Sequence, residues 1–313
     1  MLQLSKRFVE EKKVAESTAN QYLQTLFTLN GKVPFKNLAF LRDTGKITTA
    51  LSSYAPSTQK TIVAVIVSAL DFFKTKAPYK KTHDFYVALL KEKKEEGAGK
   101  EGEKSEKQEE NWEDWDAIQK KKNEMKTAIS SFGLTNKNLT AKQYDDLLSY
   151  VILSLYTDTQ PRRNKDYMDM YVVSAEPADA TRNYYVVPEQ KFVFNNYKTA
   201  KTYGKQIVNV PNSPEAPLAS TLEMFLKHHP LHKGKLTKKS DFRMLVKMDG
   251  TPLNSVNSIT RILNRIFGKK IGSSMLRHIY LTGKYGKEDA ERREDAHNMG
   301  HSVEQQREYI LNE

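Results

Sequence analysis

The sequence predicts a mostly α protein with a small antiparallel β-sheet. Apolar residues recur at helical spacing over most of the chain, both before and after a charged segment at residues 91–111. One region, between residues 170 and 210, is instead rich in Val, Tyr and Phe, with turn residues between short runs, which is typical of strands. We therefore expect a helical domain, a linker, and a second domain that combines helices with the sheet.

The chain of 313 residues is long enough for two domains, and the charged segment divides it. Residues 91–110 hold six lysines and eight glutamates and no large apolar side chain, so this stretch cannot bury a core. We predict a helical domain over residues 1–90, a charged linker over residues 91–111 and an α+β domain over residues 112–313.

The balance of charge is basic, with 50 Lys and Arg against 38 Asp and Glu, a formal net charge of +12. Such an excess favours a polyanionic partner, most commonly nucleic acid, although a basic surface can also serve solubility alone. The absence of cysteine excludes disulfides, thiolate catalysis and zinc–thiolate sites. Because there is neither an apolar signal core nor a run as long as a membrane span, we expect a soluble, intracellular protein without a membrane partner.

Helices account for the whole of the first predicted domain. Apolar spacing predicts them over residues 17–29, from about 58 to 73, and from about 82 to 90. Lys60 lies at the exposed start of the second of these helices and is a candidate contact for the backbone phosphates of a nucleic acid.

The second predicted domain contains both helices and strands. One helix starts at Thr140, where Gln143 completes a capping box. Strands are predicted over residues 170–173, 184–187, 191–195 and 206–210. Later helices are predicted over residues 218–229, 255–267, 274–285 and 289–299. The last two strands enclose a lysine-rich hairpin tip at residues 197–205.

Polar segments recur in this second domain where the fold does not require them. They are P-R-R-N-K-D-Y at residues 161–167, the hairpin tip, S-M-L-R-H at residues 274–278, and the stretch from His301 to Tyr309. No single segment is specific, but their order around a β-hairpin resembles the tyrosine recombinase, or phage-integrase, family. The likeness is greatest to integrases of large DNA viruses and virophages. It covers residues 112–313 and extends to residues 1–90, which look like that family's helical core-binding domain.

The resemblance implies roles for residues in the first two segments. Arg163 corresponds to the first catalytic arginine and stands three residues before Asp166, as in the family's R-x-x-D/E pattern. Arg162 competes for that role and is otherwise expected to bind DNA. Lys198 corresponds to the hairpin lysine that reaches the scissile phosphate, with Lys201 as the competing candidate and a further DNA-binding residue.

The C-terminal segments supply the remaining implied residues. Arg277 corresponds to the second catalytic arginine. Ser274 stands where the family usually has a histidine, and a serine can donate a hydrogen bond but is a poor general base. His301 fills the histidine of the G-H-S motif. Tyr309 is the implied nucleophile, one residue closer to that histidine than is common in the family.

The chemistry implied by these residues is transfer of a DNA phosphodiester to a tyrosine. Two guanidiniums bind the non-bridging oxygens, and a histidine adds a further hydrogen-bond donor. The tyrosine attacks, a lysine protonates the departing 5′ oxygen, and a 3′-phosphotyrosine intermediate keeps the bond energy for rejoining. The resemblance implies no cofactor and no metal.

We therefore expect a site-specific DNA recombinase or integrase that acts on double-stranded DNA as a homo-tetramer and is a monomer or dimer without it. Type IB topoisomerase-like relaxation uses the same chemistry and is one alternative. A DNA-binding relative without catalytic activity is an alternative of a different class. Four residues follow Tyr309, so either the chain is truncated or its subunits are coupled by surfaces other than a helix beyond the tyrosine.

Overall fold

The computed structural model describes residues 2–96, 103–132, 139–232, 234–253, 255–300 and 303–306. The chain divides into two compact units, Met1–Glu103 and Lys104–Glu313, and each has a hydrophobic core of its own. Helices predominate and a small sheet lies in the second unit, as the sequence predicts. No helix in the described ranges combines the length and the apolar character needed to cross a membrane.

The first unit is helical throughout its regular structure in the described ranges. Its helices are α1 (Leu2–Glu10), α2 (Glu16–Leu29), α3 (Thr44–Leu51), α4 (Pro56–Leu70) and α5 (Ala77–Glu95), with 3₁₀ turns at Ala39–Arg42 and Asp71–Phe73. The predicted helices correspond to α2, to α4 with the second 3₁₀ turn, and to α5. The sequence prediction missed α1.

The core of this unit forms where the apolar faces of its helices meet. Phe8 of α1, Val63 of α4 and Tyr86 of α5 are completely buried. The hydroxyl of Tyr86 donates a hydrogen bond to the carbonyl of Leu41 at 3.0 Å, so its polar end is satisfied inside the core. Lys60 lies on the exposed side of α4, as predicted.

The second unit combines helices with a five-stranded sheet. Its helices are α6 (Glu106–Asn111), α7 (Trp115–Ser130), α8 (Ala141–Thr157), α9 (Asn164–Met168), α10 (Ala200–Tyr203), α11 (Leu218–His228), α12 (Val256–Phe267), α13 (Ser273–Asn298) and α14 (Val303–Gln306). Its strands are β1 (Met170–Val173), β2 (Asn183–Val186), β3 (Lys191–Phe194), β4 (Gln206–Asn209) and β5 (Asp241–Arg243).

Helical structure extends into both ends of the predicted linker at residues 91–111. Helix α5 continues to Glu95, and α6 occupies its C-terminal part. Asn111 is buried, and its side-chain oxygen accepts a hydrogen bond from the backbone N–H of Lys270 at 2.7 Å. The C-terminal end of this segment is therefore part of the second unit.

The sheet is mixed, which corrects the prediction of an antiparallel sheet. Its strand order is β4-β3-β2-β1-β5. Strands β1 and β2 pair in parallel, whereas the other neighbouring pairs are antiparallel. The parallel pair arises because the loop at residues 174–182 returns the chain to the same end of the sheet before β2 begins. Strand β5 was not predicted.

Helix α8 forms the centre of the second core. The predicted capping box is present: Thr140 Oγ1 accepts from the N–H of Gln143 at 3.3 Å, and Gln143 Oε1 accepts from the N–H of Thr140 at 2.9 Å. Every residue from Leu147 to Thr157 is buried. The sheet contributes Val172 and Phe192 to the same core, so the loop that follows α8 begins on a rigid base.

The last long helix is α13, which corrects the prediction of two separate helices over residues 274–285 and 289–299. Gly286 does not interrupt it, because a glycine inside a helix costs only about 1 kcal/mol relative to alanine. Charged pairs at helical spacing, such as Asp289 with Arg293 at 2.8 Å, support the helix. Gly283 lets α13 approach α7 closely, since a Cβ at this position would lie 2.8 Å from the Cβ of Trp115.

Candidate functional site

A cleft of about 230 Å³ in the second unit collects the basic residues of three separate chain segments. It is lined by Pro161, Arg162, Arg163, Asp166, Tyr197, Thr199, Tyr203, Gln206 and Arg277. The segments are the loop and first turn of α9, the tip of the β3–β4 hairpin, and the start of α13. The lining holds three arginines and one carboxylate, so its charge is positive.

The arginine loop is fixed to its surroundings by Asn164, the first residue of α9. Its buried amide nitrogen donates to the carbonyl of Val256 and to Thr260 Oγ1, both at 2.9 Å. Its side-chain oxygen accepts from the hydroxyl of Tyr156 at 2.7 Å. These bonds join α9 to α8 and α12, and they place the preceding residue, Arg163, at the edge of the cleft.

Arg162 is held by several partners. Its Nε atom is 3.0 Å from Asp166 Oδ2, and Nη1 donates to Gln206 Oε1 at 2.9 Å. Its guanidinium also lies over the ring of Phe194, 3.8 Å from the centroid. Asp166 is 2% exposed, and its burial raises the pKa of the carboxyl although Arg162 and Arg163 oppose that rise.

Arg163 and Arg277 are half-buried in the same lining and are less constrained. Among the described residues, neither forms an ion pair with a carboxylate. Arg277 donates a long hydrogen bond from Nε to the carbonyl of Ser273 at 3.4 Å. Two guanidiniums in one cleft that form no ion pair within the described residues are suited to an anionic ligand that accepts several hydrogen bonds.

The tyrosines in and beneath the cleft differ in their access to solvent. Tyr156 and Tyr167 are buried, and burial raises the pKa of Tyr156 well above its usual value and that of Tyr167 to about 12. Tyr197 donates its hydroxyl to the carbonyl of Gly204 at 2.7 Å. Tyr203 is 67% exposed. Of these, Tyr203 alone presents a tyrosine hydroxyl accessible to an external ligand.

The structure brings together Arg162, Arg163 and Arg277, three of the predicted residues, in one lining, but not all the predicted residues. Lys198 is exposed in the hairpin tip and is not itself part of the lining, although its neighbours on both sides are. Lys201 is exposed on α10. Ser274 is exposed in the first turn of α13, one turn before Arg277, and is not part of the lining, whereas Lys60 belongs to the first unit.

His301 and Tyr309 lie outside the described residues. The glycine before His301 is described, and it has a positive φ of 74° directly after the C-cap of α13. Its N–H donates to the carbonyl of His297 at 3.0 Å. Because the left-handed conformation favours glycine, Gly300 of the G-H-S motif has a helix-ending role independent of any chemistry.

Sequence reasoning missed three residues that shape the site: Tyr203, Gln206 and Asn183. The first two line the cleft, and Asn183 supports it from the start of β2. Tyr203 had a usable signal, because an aromatic side chain in a lysine-rich hairpin tip is unusual for a solvated turn. Gln206 and Asn183 had none, because their importance depends on partners far away in the sequence.

Comparison with known proteins gave no match among family models, curated proteins or solved structures. Within the described ranges, no group of three or more His, Asp or Glu side chains is placed to hold a metal ion.

Proposed function

We propose that the chain is a tyrosine site-specific DNA recombinase, with a core-binding first unit and a catalytic second unit. The observation that carries the proposal is the meeting of Arg163 and Arg277 in one cleft beside the tip that bears Lys198. These arginines are far apart in the sequence, and neither has a carboxylate partner among the described residues.

A phosphodiester matches the charge and geometry of this cleft. It carries one negative charge on two non-bridging oxygens, and that charge increases as a nucleophile attacks the phosphorus. A guanidinium binds such oxygens through two parallel N–H groups, and the interaction strengthens in the transition state. Arg163 and Arg277 are the residues that would supply this binding, since Arg162 is already engaged by Asp166 and Gln206.

The remaining steps fall to residues near the cleft and in the C-terminal segment. The phenol of Tyr309 gives up its proton to solvent as its oxygen attacks the phosphorus, the bond to the 5′ oxygen breaks, and Lys198 gives that oxygen a proton. His301 and Ser274 donate hydrogen bonds to the phosphate. Attack by a 5′ hydroxyl on the 3′-phosphotyrosine reverses these steps and joins the strand to its own partner or to another.

Double-stranded DNA is the proposed substrate of a homo-tetramer assembled on it. The net charge of +12 supports binding to the phosphate backbone, with Lys60, Lys201 and other exposed lysines as contacts. Such binding weakens steeply as salt increases, because each phosphate contact releases a counterion. The proposed setting is a virus or another mobile element that inserts its DNA.

The test is formation of a covalent adduct on a nicked duplex that spans the ends of the element encoding the chain. A nick beside the cleavage point lets the short strand diffuse away, so the adduct accumulates and is seen as a band resistant to detergent. We expect an adduct with the wild type and none with Tyr309→Phe. Tyr285→Phe, which changes an exposed tyrosine of α13, is the matched control and keeps the adduct.

The outcomes separate the proposed function from its alternatives. Loss of the adduct in Tyr203→Phe, with its retention in Tyr309→Phe, would overturn the choice of nucleophile. Relaxed plasmid without strand-exchanged products from two sites would indicate a type IB topoisomerase-like enzyme. Binding of DNA without any adduct under varied salt and pH would indicate an inactive relative.

A further inference from the structure

The tip of the β3–β4 hairpin is tied to the arginine loop by side-chain bonds. Arg162 connects Asp166, in the first turn of α9, to Gln206, the first residue of β4, through bonds of 3.0 and 2.9 Å. The same guanidinium covers the ring of Phe194 at the end of β3. One side chain therefore contacts both strands at the base of the tip and the loop that carries Arg163.

A second connection runs through Asn183, which is 1% exposed at the start of β2. Its amide nitrogen donates to the carbonyls of Asp166 and Asn196, both at 2.9 Å. Its oxygen accepts from the N–H groups of Asn195 at 2.9 Å and Asn196 at 2.8 Å. All four of its hydrogen-bonding positions are used, and they join α9 to the start of the tip.

Lys198 follows directly after this braced segment. The residue before it, Tyr197, is buried, with its ring centroid 5.1 Å from the guanidinium of Arg162. Its hydroxyl bonds to the carbonyl of Gly204, which closes the tip into a compact turn. The backbone that carries Lys198 is therefore held at both ends, while its side chain is exposed.

We infer that Arg162 and Asn183 are positioning residues that set where Lys198 lies relative to a phosphate bound by Arg163 and Arg277. The inference rests on the proposed function, in which Lys198 protonates the leaving 5′ oxygen. Arg162 then acts through the hairpin by positioning Lys198, whereas its neighbour Arg163 binds the phosphate itself. A general acid displaced by about 1 Å loses on the order of 100-fold in rate, so the brace matters although it does not contact the reacting atoms.

The inference is tested with Gln206→Ala in the full chain, because this change removes one partner of the brace without emptying a buried position. Single-turnover cleavage is measured on two nicked duplexes that differ in one atom, an ordinary 5′ oxygen or a 5′ sulfur at the scissile bond. A thiolate leaves without protonation, so sulfur removes the need for a general acid. We expect a loss of about 10- to 100-fold with oxygen and rates within about twofold of wild type with sulfur.

The matched control is Asn209→Ala, which removes an exposed amide from the other end of the same strand and leaves both rates unchanged. Lys198→Ala gives the reference pattern for a missing general acid. Arg162→Lys keeps a positive charge but lacks the fork that spans Asp166 and Gln206, and we expect it to behave like Gln206→Ala.

If Gln206→Ala lowers the cleavage rate equally on the oxygen and sulfur duplexes, the inference is overturned. A general weakening of the fold or of phosphate binding affects both rates. Wild-type rates on both would overturn it as well. Failure of the proposed function gives a different result, because the wild type then forms no adduct on either duplex.

Discussion

Two buried carboxylates near the end of α8 have similar partners but different surroundings. Asp158, the C-cap of α8, pairs with Lys122 of α7 at 2.5 Å, and Asp166 pairs with Arg162 at 3.0 Å. In each carboxylate one oxygen has no hydrogen-bond partner among the described residues. Burial raises the pKa of both carboxyl groups, against the lowering effect of their basic partners.

The residues around each pair distinguish the structural pair, Lys122 with Asp158, from the pair at the cleft, Arg162 with Asp166. The side chains of Lys122 and Asp158 are only 2% and 0% exposed, and the lysine's further bond goes to the carbonyl of Glu215 at 3.3 Å. Arg162 and Asp166 instead border a cleft that contains two more arginines. A buried ion pair therefore says little about function. A surplus of cations around it is suited to an anionic ligand.

The largest effect is expected on stability, at the buried pair of Lys122 and Asp158. Lys122→Met leaves Asp158 as a buried charge without its partner, so the free energy of unfolding falls by about 3–5 kcal/mol. Urea denaturation, followed by circular dichroism, measures this free energy of unfolding. Lys126→Met, one turn along α7 and exposed, is the control and changes stability by less than about 0.5 kcal/mol.

The double variant Lys122→Met with Asp158→Leu sharpens this prediction. Because it removes both charges together, it should recover most of the lost stability. A single variant as stable as the wild type would contradict the structural role assigned to the pair.

The next effect is on activity and is expected at the cleft. Arg163→Ala removes a guanidinium that forms no ion pair within the described residues, so stability falls by about 1 kcal/mol or less, well below the effect of Lys122→Met. The single-turnover cleavage rate should fall by about 100- to 1000-fold, because the transition state loses charge stabilisation. Arg293→Ala, in a surface pair with Asp289, is the control and keeps the rate. An Arg163→Ala variant that loses stability but keeps its cleavage rate would contradict this prediction, because Arg163 would then have a structural role like that of Lys122.

The smallest effect concerns pH. A carboxyl group whose pKa is raised by folding above its ordinary value of 3.8 stabilises the fold most below that value, and the contribution is lost as pH rises through the raised pKa. The asparagine of Asp166→Asn does not titrate. As pH rises from 3.5 to 7, the free energy of unfolding of this variant should therefore increase relative to that of the wild type. Thermal denaturation across this range measures the difference, and a trend in the opposite direction would mean that folding lowers the pKa of Asp166.

Local patterns determined how much of this fold could be predicted. The strand at residues 170–173 and the capping box of Thr140 with Gln143 depend on neighbouring residues, and both predictions are confirmed. The parallel pairing of β1 with β2 and the three-residue strand β5 depend on distant chain segments and were missed. The break predicted near Gly286 was wrong because packing and charged pairs outweigh one glycine.

In the site, too, features that depend on distant chain segments could not be predicted from the sequence. Arg162, Arg163 and Arg277 could be selected because their motifs occur in a recognisable order, and the structure places them in one lining. The difference in bonding partners between Arg162 and Arg163 could not be predicted. It follows from Gln206, which lies 44 residues from Arg162 in the sequence and meets it only through the hairpin.

In the proposed function, Arg163 and Arg277, which form no ion pair within the described residues, neutralise the charge of a scissile phosphodiester. The direct test compares Arg163→Ala with wild type on a nicked duplex whose scissile phosphate is replaced by a neutral methylphosphonate. With less charge to neutralise, the loss caused by Arg163→Ala should shrink from at least about 100-fold to less than about tenfold. A loss of equal size on both duplexes would contradict the claim, because Arg163 would then act on something other than the charge of the phosphate.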